Sequence, residues 1–205
     1  MIFRAFSVLV LPVALLAASA ADADGAALYA ESCAGCHGET GQGNGELRAP
    51  ALAALDAGYL IRQVGHFRSG VRQVNPDNDM AVAMVELLPD VSEADTAEIA
   101  SYLASLPLPV LEDDNDPPGF RSRGLYSGCI SCHGARAQGI EALNAPRLAR
   151  QYGWYLAEQL DAFRVGRRGA HPEDDPGRQM KAMADAIGSE ADIAALVSYI
   201  ATLDP

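Results

Sequence analysis

Cys33-Ala34-Gly35-Cys36-His37 and Cys129-Ile130-Ser131-Cys132-His133 are the two stretches on which the reading of this chain turns. Both are C-x-x-C-H, the attachment signal for c-type haem. Cysteines at i and i+3 lie on one side of a helical turn, where they can capture two vinyl groups as thioethers. The histidine that follows is then placed to ligate iron. The two motifs use all four cysteines of the chain. A zinc site would need four ligands per metal, and every C-x-x-C here already carries its histidine. A thioredoxin-like dithiol needs a βαβ setting that the pattern lacks, and structural disulfides require no histidine beside each pair. Two covalent haem c groups are therefore expected, attached through Cys33, Cys36, Cys129 and Cys132, with His37 and His133 as axial ligands.

The offset between the motifs is 96 residues, and the match runs far beyond them. Leu47-Arg48-Ala49-Pro50-Ala51-Leu52 falls on Leu143-Asn144-Ala145-Pro146-Arg147-Leu148, and Gln63 to Arg68 falls on Gln159 to Arg164. Gly70, Arg72 and Pro76 meet Gly166, Arg168 and Pro172. Self-similarity of this extent means two copies of one domain. Each copy reads as helical: an approach to the cysteines at about 25–33 and 121–129, a middle helix at roughly 58–69 and 153–165, and a last helix after Ser92 and Ser189. Those serines each have a carboxylate three residues on, the capping-box pattern. The methionines between the middle and last helices read as loops, and no alternating strand appears. The expected fold class is all-α, as two tandem domains at 21–106 and 119–205. Pro107 to Gly119, with four prolines and four acids, reads as a stiff, solvated linker over 107–118.

His37 and His133 leave a second axial position on each iron. Met80, Met84 and His66 are the candidates in copy one, and Met180, Met183 and His171 in copy two. His66 faces Ala162 across the repeat and His171 faces Asn75, so neither histidine can serve both copies. Seven residues separate Met80 from Leu87 and Met180 from Ile187. That spacing selects Met80 and Met180, with Met84 and Met183 as alternatives that otherwise fill core.

The 205 residues are 49% apolar and 20% charged, which suits folded domains. Lys+Arg 15 against Asp+Glu 27 leaves −12, so nucleic acid and anionic membrane surfaces would repel the chain. The acids are unevenly shared: residues 21–106 carry −9, the linker −4, and residues 119–205 zero, with Arg164, Arg167 and Arg168 close together. Such a split predicts different docking partners for the two domains. The competing reading is that Arg168, like Arg72, pairs haem propionates while the other charges form a solvated surface. Residues 1–20 hold one early cation (Arg4), an apolar run and Ala18-Ser19-Ala20, the layout of a signal peptide cleaved before Ala21. The mature chain is expected to be periplasmic, or membrane-anchored if that segment is retained.

C-x-x-C-H, the Pro-x-Leu segment, Phe-Arg-x-Gly-x-Arg and a methionine ahead of a Tyr-bearing last helix together resemble a class I c-type cytochrome. Two such copies after a signal peptide resemble the dihaem cytochrome c4 family. The resemblance implies that Pro50 and Pro146 offer carbonyls to the second ring nitrogens of His37 and His133. It also implies that Gly25 lets the first and last helices cross beside Tyr102. Copy two departs here, since Tyr126 stands three residues before its cysteine where Tyr29 stands four before Cys33. His/Met ligation fills the iron's coordination and implies electron carriage without a small-molecule substrate. The expected donor is a quinol-oxidising complex or a dehydrogenase, and the acceptor a terminal oxidase or reductase. The alternatives are an electron-accepting subunit of a dehydrogenase, or a haem enzyme with one open iron, peroxidase-like or thiosulfate-oxidising.

Overall fold

The computed structural model describes residues 20–111 and 120–205, with side chains from 24 and from 122. The expected signal segment and most of the expected linker lie outside the described residues. The first domain runs α1 (Ala20–Ser32), α2 (Ala34–His37), α3 (Ala57–Ser69), α4 (Asp79–Leu87) and α5 (Glu93–Ser105). The second runs α6 (Phe120–Tyr126), α7 (Ile130–His133), α8 (Gly153–Arg164), α9 (Asp175–Asp185) and α10 (Glu190–Ala201). No strand is present among the described residues, only isolated bridges Asn44–Ala49 and Ile140–Ala145, again 96 apart. No described helix is long and apolar enough to cross a membrane.

Local chemistry accounts for the helix starts. The Ser92 hydroxyl accepts from Asp95 N–H at 3.0 Å while the Asp95 carboxylate accepts from Ser92 N–H, a complete capping box. Ser189 caps α10 in the same way from Asp192 N–H at 3.2 Å. The methionine segments are helices, which corrects their reading as loops. Asn78 caps α4 by accepting from Ala81 N–H at 3.1 Å, and Asp174 caps α9 from Gly177 N–H at 2.9 Å. Polar N-cap residues were legible there, but the Pro/Asp-rich lead-in masked them.

Each domain closes around its first, middle and last helices. Tyr29, Leu60, Ile99 and Leu103 centre one core; Tyr126, Leu156, Phe163 and Leu196 centre the other. The first and last helices cross closely in the first domain because Gly25 has no side chain: a Cβ there would stand 2.4 Å from Glu98 O and 3.0 Å from Tyr102 Cβ. A Cβ at Gly124 would meet nothing within 4 Å, so Gly124 is not the counterpart of Gly25. Ser122, four residues before Tyr126 as Gly25 is before Tyr29, takes that place and is buried. The missing residue of copy two is absorbed in one turn: Cys33 N–H donates to Tyr29 O, i to i−4, whereas Cys129 N–H donates to Tyr126 O, i to i−3.

Candidate functional site

His37 and His133 end the short helices α2 and α7 and are each buried, at 7% and 6% exposure. His37 Nδ1 lies 2.9 Å from Pro50 O, and His133 Nδ1 lies 2.8 Å from Pro146 O. A carbonyl only accepts, so Nδ1 carries the proton and Nε2 keeps its lone pair. Burial pushes both imidazoles below their ordinary pKa, against the raising effect of the proline carbonyls, which favours the neutral, metal-ligating form. Tyr29 and Tyr126 hold the far end of each motif. Their hydroxyls donate to Gly38 O at 2.5 Å and Gly134 O at 2.6 Å, and burial pushes the Tyr126 phenol up to about 12. Sequence reading saw only the spacing of these tyrosines. Gly38 and Gly134, both at φ +80°, end α2 and α7 in a backbone conformation open chiefly to glycine.

All four cysteines are free of disulfides. Burial and the adjacent Cys36 push the Cys33 thiol up to about 11, and burial likewise raises Cys129. Protonated thiols of this kind are poor thiolate ligands or redox nucleophiles. Among the described residues no group of three or more His, Cys, Asp and Glu is placed to hold a metal ion.

A cavity of about 740 Å³ opens beside the first motif, lined by Cys33, Cys36, His37, Leu52, Met80 and Met84. Residues of the second domain, Trp154 and Tyr155 among them, help to line it. The register of the two methionine helices differs from that expected. Counted from their caps, Asn78 and Asp174, Met84 falls opposite Met180 and Met80 falls opposite Pro176. Met180 packs partly buried against the second core. Met84 is half-buried, Met80 is 38% exposed, and Met183 is 46% exposed rather than a core filler. His66 lies near the domain interface with Nδ1 4.0 Å from Asp174, and His171 Nδ1 accepts from Glu173 N–H at 3.3 Å.

Arg72 and Arg168 meet between the domains in a cluster that repeats the 96-residue offset. Arg72 donates to Gln63 Oε1 at 2.9 Å, Gln159 Oε1 at 2.9 Å and Tyr155 Oη at 3.0 Å. Arg168 donates to Gln159 Oε1 at 2.8 Å and Gln63 Oε1 at 3.0 Å. The guanidiniums stack on Phe67 and Phe163, each 4.3 Å from the ring centroid. Burial and the neighbouring Arg72 charge both push Arg168 below its ordinary pKa. Both cations are buried and hydrogen-bonded to neutral oxygens; against the lowering effect of burial, Tyr155, Tyr59 and Asp174 raise Arg72 above its ordinary pKa, and further carboxylates would complete the pair. The indole N–H of Trp154 is also buried without an acceptor on the cavity wall. The residues therefore fit haem: thiols for its vinyl groups, a neutral imidazole for its iron, an apolar wall with thioethers, and donors for its carboxylates.

The comparisons with known proteins agree with a covalent haem in each copy. A family model described as cytochrome c matches residues 23–107 and again 121–204. The chain is 33% identical over 193 residues to cytochrome c4 of Pseudomonas aeruginosa, covering 90% of each. It is 32% identical over 190 residues to a thiosulfate dehydrogenase electron acceptor of Stutzerimonas stutzeri, covering 83% of this chain and 84% of that one. Among solved structures, reduced cytochrome c4 from Pseudomonas stutzeri superposes with a TM-score of 0.74 at 27% identity, over 89% of this chain and 98% of that one. A thiosulfate dehydrogenase from Marichromatium purpuratum gives 0.72 at 29% identity, over 89% of this chain but 40% of that one.

Proposed function

The chain belongs to the cytochrome c family as a dihaem, cytochrome c4-like electron-transfer protein with two covalent haem c groups, and we propose that it is a periplasmic carrier rather than an enzyme. The carrier takes electrons singly from a membrane quinol-oxidising complex or a dehydrogenase and passes them to a terminal oxidase or reductase. Residues 1–20 act as the export signal, 21–106 and 119–205 as the two domains, and 107–118 as their linker. When bound, haem c supplies an iron that gains and loses one electron.

The chain's own residues do the rest. Cys33, Cys36, Cys129 and Cys132 would tether the groups, and His37 and His133 would ligate the iron through Nε2. Pro50 and Pro146 fix each tautomer and ring plane. Met180 would be the second iron ligand in the second domain. In the first, the shared cap register favours Met84 over Met80. Arg72 and Arg168 balance the carboxylates at the domain interface. Held by a histidine and a methionine in each domain, the iron would offer no open position for substrate chemistry and would exchange single electrons with little rearrangement.

The observation that carries this reading is the pair of buried, carbonyl-anchored histidines, 2.9 and 2.8 Å from their prolines, each in a domain with a methionine-bearing helix. The test is the visible spectrum of the purified protein, oxidised and reduced, with and without carbon monoxide. Two low-spin haems with the weak red iron–thioether band and no carbon monoxide shift support the carrier. A high-spin or carbon monoxide-reactive haem refutes it in favour of an enzyme.

A second reading rests on the named relatives. Similarity to a thiosulfate dehydrogenase electron acceptor, and to part of a thiosulfate dehydrogenase, favours a dedicated acceptor for such an enzyme. Copurification with a larger oxidoreductase chain, and reduction by it at a rate above that with unrelated dehydrogenases, separates the two.

A further inference from the structure

Gln151 belongs to the second domain, yet its side chain grips the backbone of the first. Its Oε1 accepts from Ala51 N–H at 3.0 Å, and its Nε2 donates to Ala51 O at 2.9 Å. The grip is dry, with Gln151 6% exposed and Ala51 fully buried. Oε1 also accepts from Tyr152 N–H at 3.0 Å, so three bonds agree on which end of the amide is oxygen. The Tyr152 ring packs against the same segment. At Gly43, φ +83°, a Cβ would come within 2.6 Å of that ring and 2.7 Å of Ala51 N.

Ala51 N–H and Pro50 C=O are two ends of one peptide group. Pro50 O is the acceptor that faces His37 Nδ1 at 2.9 Å. When Gln151 draws on the N–H, charge moves toward the carbonyl oxygen, because linked hydrogen bonds strengthen one another by about 10–30% per bond. A stronger acceptor pulls harder on the Nδ1 proton and makes Nε2 a more basic ligand.

We propose that Gln151 is a positioning residue through which the second domain sets the electron affinity of the first-domain iron, by way of Ala51, Pro50 and His37. The proposal rests on ligation of that iron by His37. A more basic ligand favours the oxidised iron, so the contact lowers the potential of the first haem. The device is one-sided: across the 96-residue repeat, Gln151 corresponds to Leu55 and Ala51 to Arg147. A leucine has no amide with which to return the grip. His37 and His133 therefore share their carbonyl geometry, 2.9 and 2.8 Å, but differ in what stands behind the carbonyl.

The test is a redox titration of the full-length dihaem protein carrying Gln151→Leu or Gln151→Glu. Nuclear magnetic resonance of the reduced protein assigns each haem and follows the two histidine Nδ1 protons. Gln151→Leu, which installs the repeat's own residue, is expected to raise the reduced-to-oxidised ratio of the first haem three- to tenfold at fixed potential. That is about 28–59 mV at 59 mV per decade for one electron. The second haem stays within the error of the titration, and the His37 proton moves while the His133 proton does not. Gln151→Glu puts a stronger, charge-assisted acceptor on Ala51 N–H, so its ratio falls below that of the unsubstituted protein and the His37 proton moves the opposite way. It reads the proposal alone should the leucine variant fail to fold. Unmoved potentials, equal shifts of both haems, or a rise with Gln151→Glu would overturn the relay. A first haem that is high-spin without any substitution overturns the ligand assignment beneath it instead.

Discussion

Gly25→Ala places a methyl carbon 2.4 Å from Glu98 O and 3.0 Å from Tyr102 Cβ. The first is backbone of the facing helix, and neither can rotate away. Relaxing a carbon–oxygen contact to roughly 3.3–3.6 Å requires α1 and α5 to part by about 1 Å. That movement also loosens the Tyr29–Tyr102 ring pair, now 5.7 Å between centroids, and with it the Tyr29 bond to Gly38 O at the end of the haem motif. Overpacking of this kind costs about 1–3 kcal/mol, offset by about 1 kcal/mol for removing a glycine from a helix interior. The expected net effect is a loss of up to about 2 kcal/mol, or up to roughly 8–16 °C in Tm for a domain of this size class. Gly124→Ala is the matched control: nothing lies within 4 Å, so only the propensity gain remains and stability rises by about 0.5–1 kcal/mol. Thermal unfolding of the haem-loaded protein, followed by circular dichroism and Soret absorbance, reads both. A Gly25→Ala that stabilises as much as Gly124→Ala, or a Gly124→Ala that destabilises, would refute the helix-crossing argument.

His66 is held below its ordinary pKa by burial first and then by Arg62, Arg168 and Arg72, which together outweigh the raising pull of Asp174 at 4.0 Å. A lowered native value means that the His66 contribution is whole above about pH 6.5 and is lost as pH falls from there toward the native value. His66→Ala, the residue found at Ala162, should flatten the pH dependence of denaturant stability across that window. Arg147 donates to Ala53 O at 2.8 Å across the domain boundary and to Arg150 O at 3.1 Å within its own domain. Arg147→Ala strands those carbonyls and should cost about 1–3 kcal/mol in a urea titration. For the first-domain thioether ligand, Met84→Leu should abolish one iron–thioether band and open that iron to carbon monoxide, while Met80→Leu leaves the spectrum unchanged; the reverse pattern would restore Met80. Reversing Arg164 should alter the salt dependence of electron exchange more than reversing Arg167, whose charge is already met by Asp161 at 2.9 Å.

Much of the site was legible because its chemistry is local. C-x-x-C-H places two thiols and an imidazole on one helical turn whatever the rest of the chain does, and the repeat lent each copy's reading to the other. Ser92 and Ser189 announced their helices because a cap is a four-residue event. The methionine helices were harder to read. Their seven-residue spacing to an aliphatic partner paired Met80 with Met180, but the caps at Asn78 and Asp174 set a register that pairs Met84 with Met180. Tyr29 and Tyr126 looked mismatched by one residue until a tighter turn before Cys129 was seen to absorb the difference.

What the sequence by itself determined about this protein is its cofactor, its all-helical class and its doubling, because each is written in contacts between residues close along the chain or in a match between two segments. Only the tertiary structure decided how the copies meet. Arg72 and Arg168 bind each other's glutamines, and Gln151 holds the backbone next to Pro50, 100 residues away. Such contacts depend on the orientation of one folded body against another. That orientation is set by the summed shape and burial of both surfaces, which no short stretch of residues encodes.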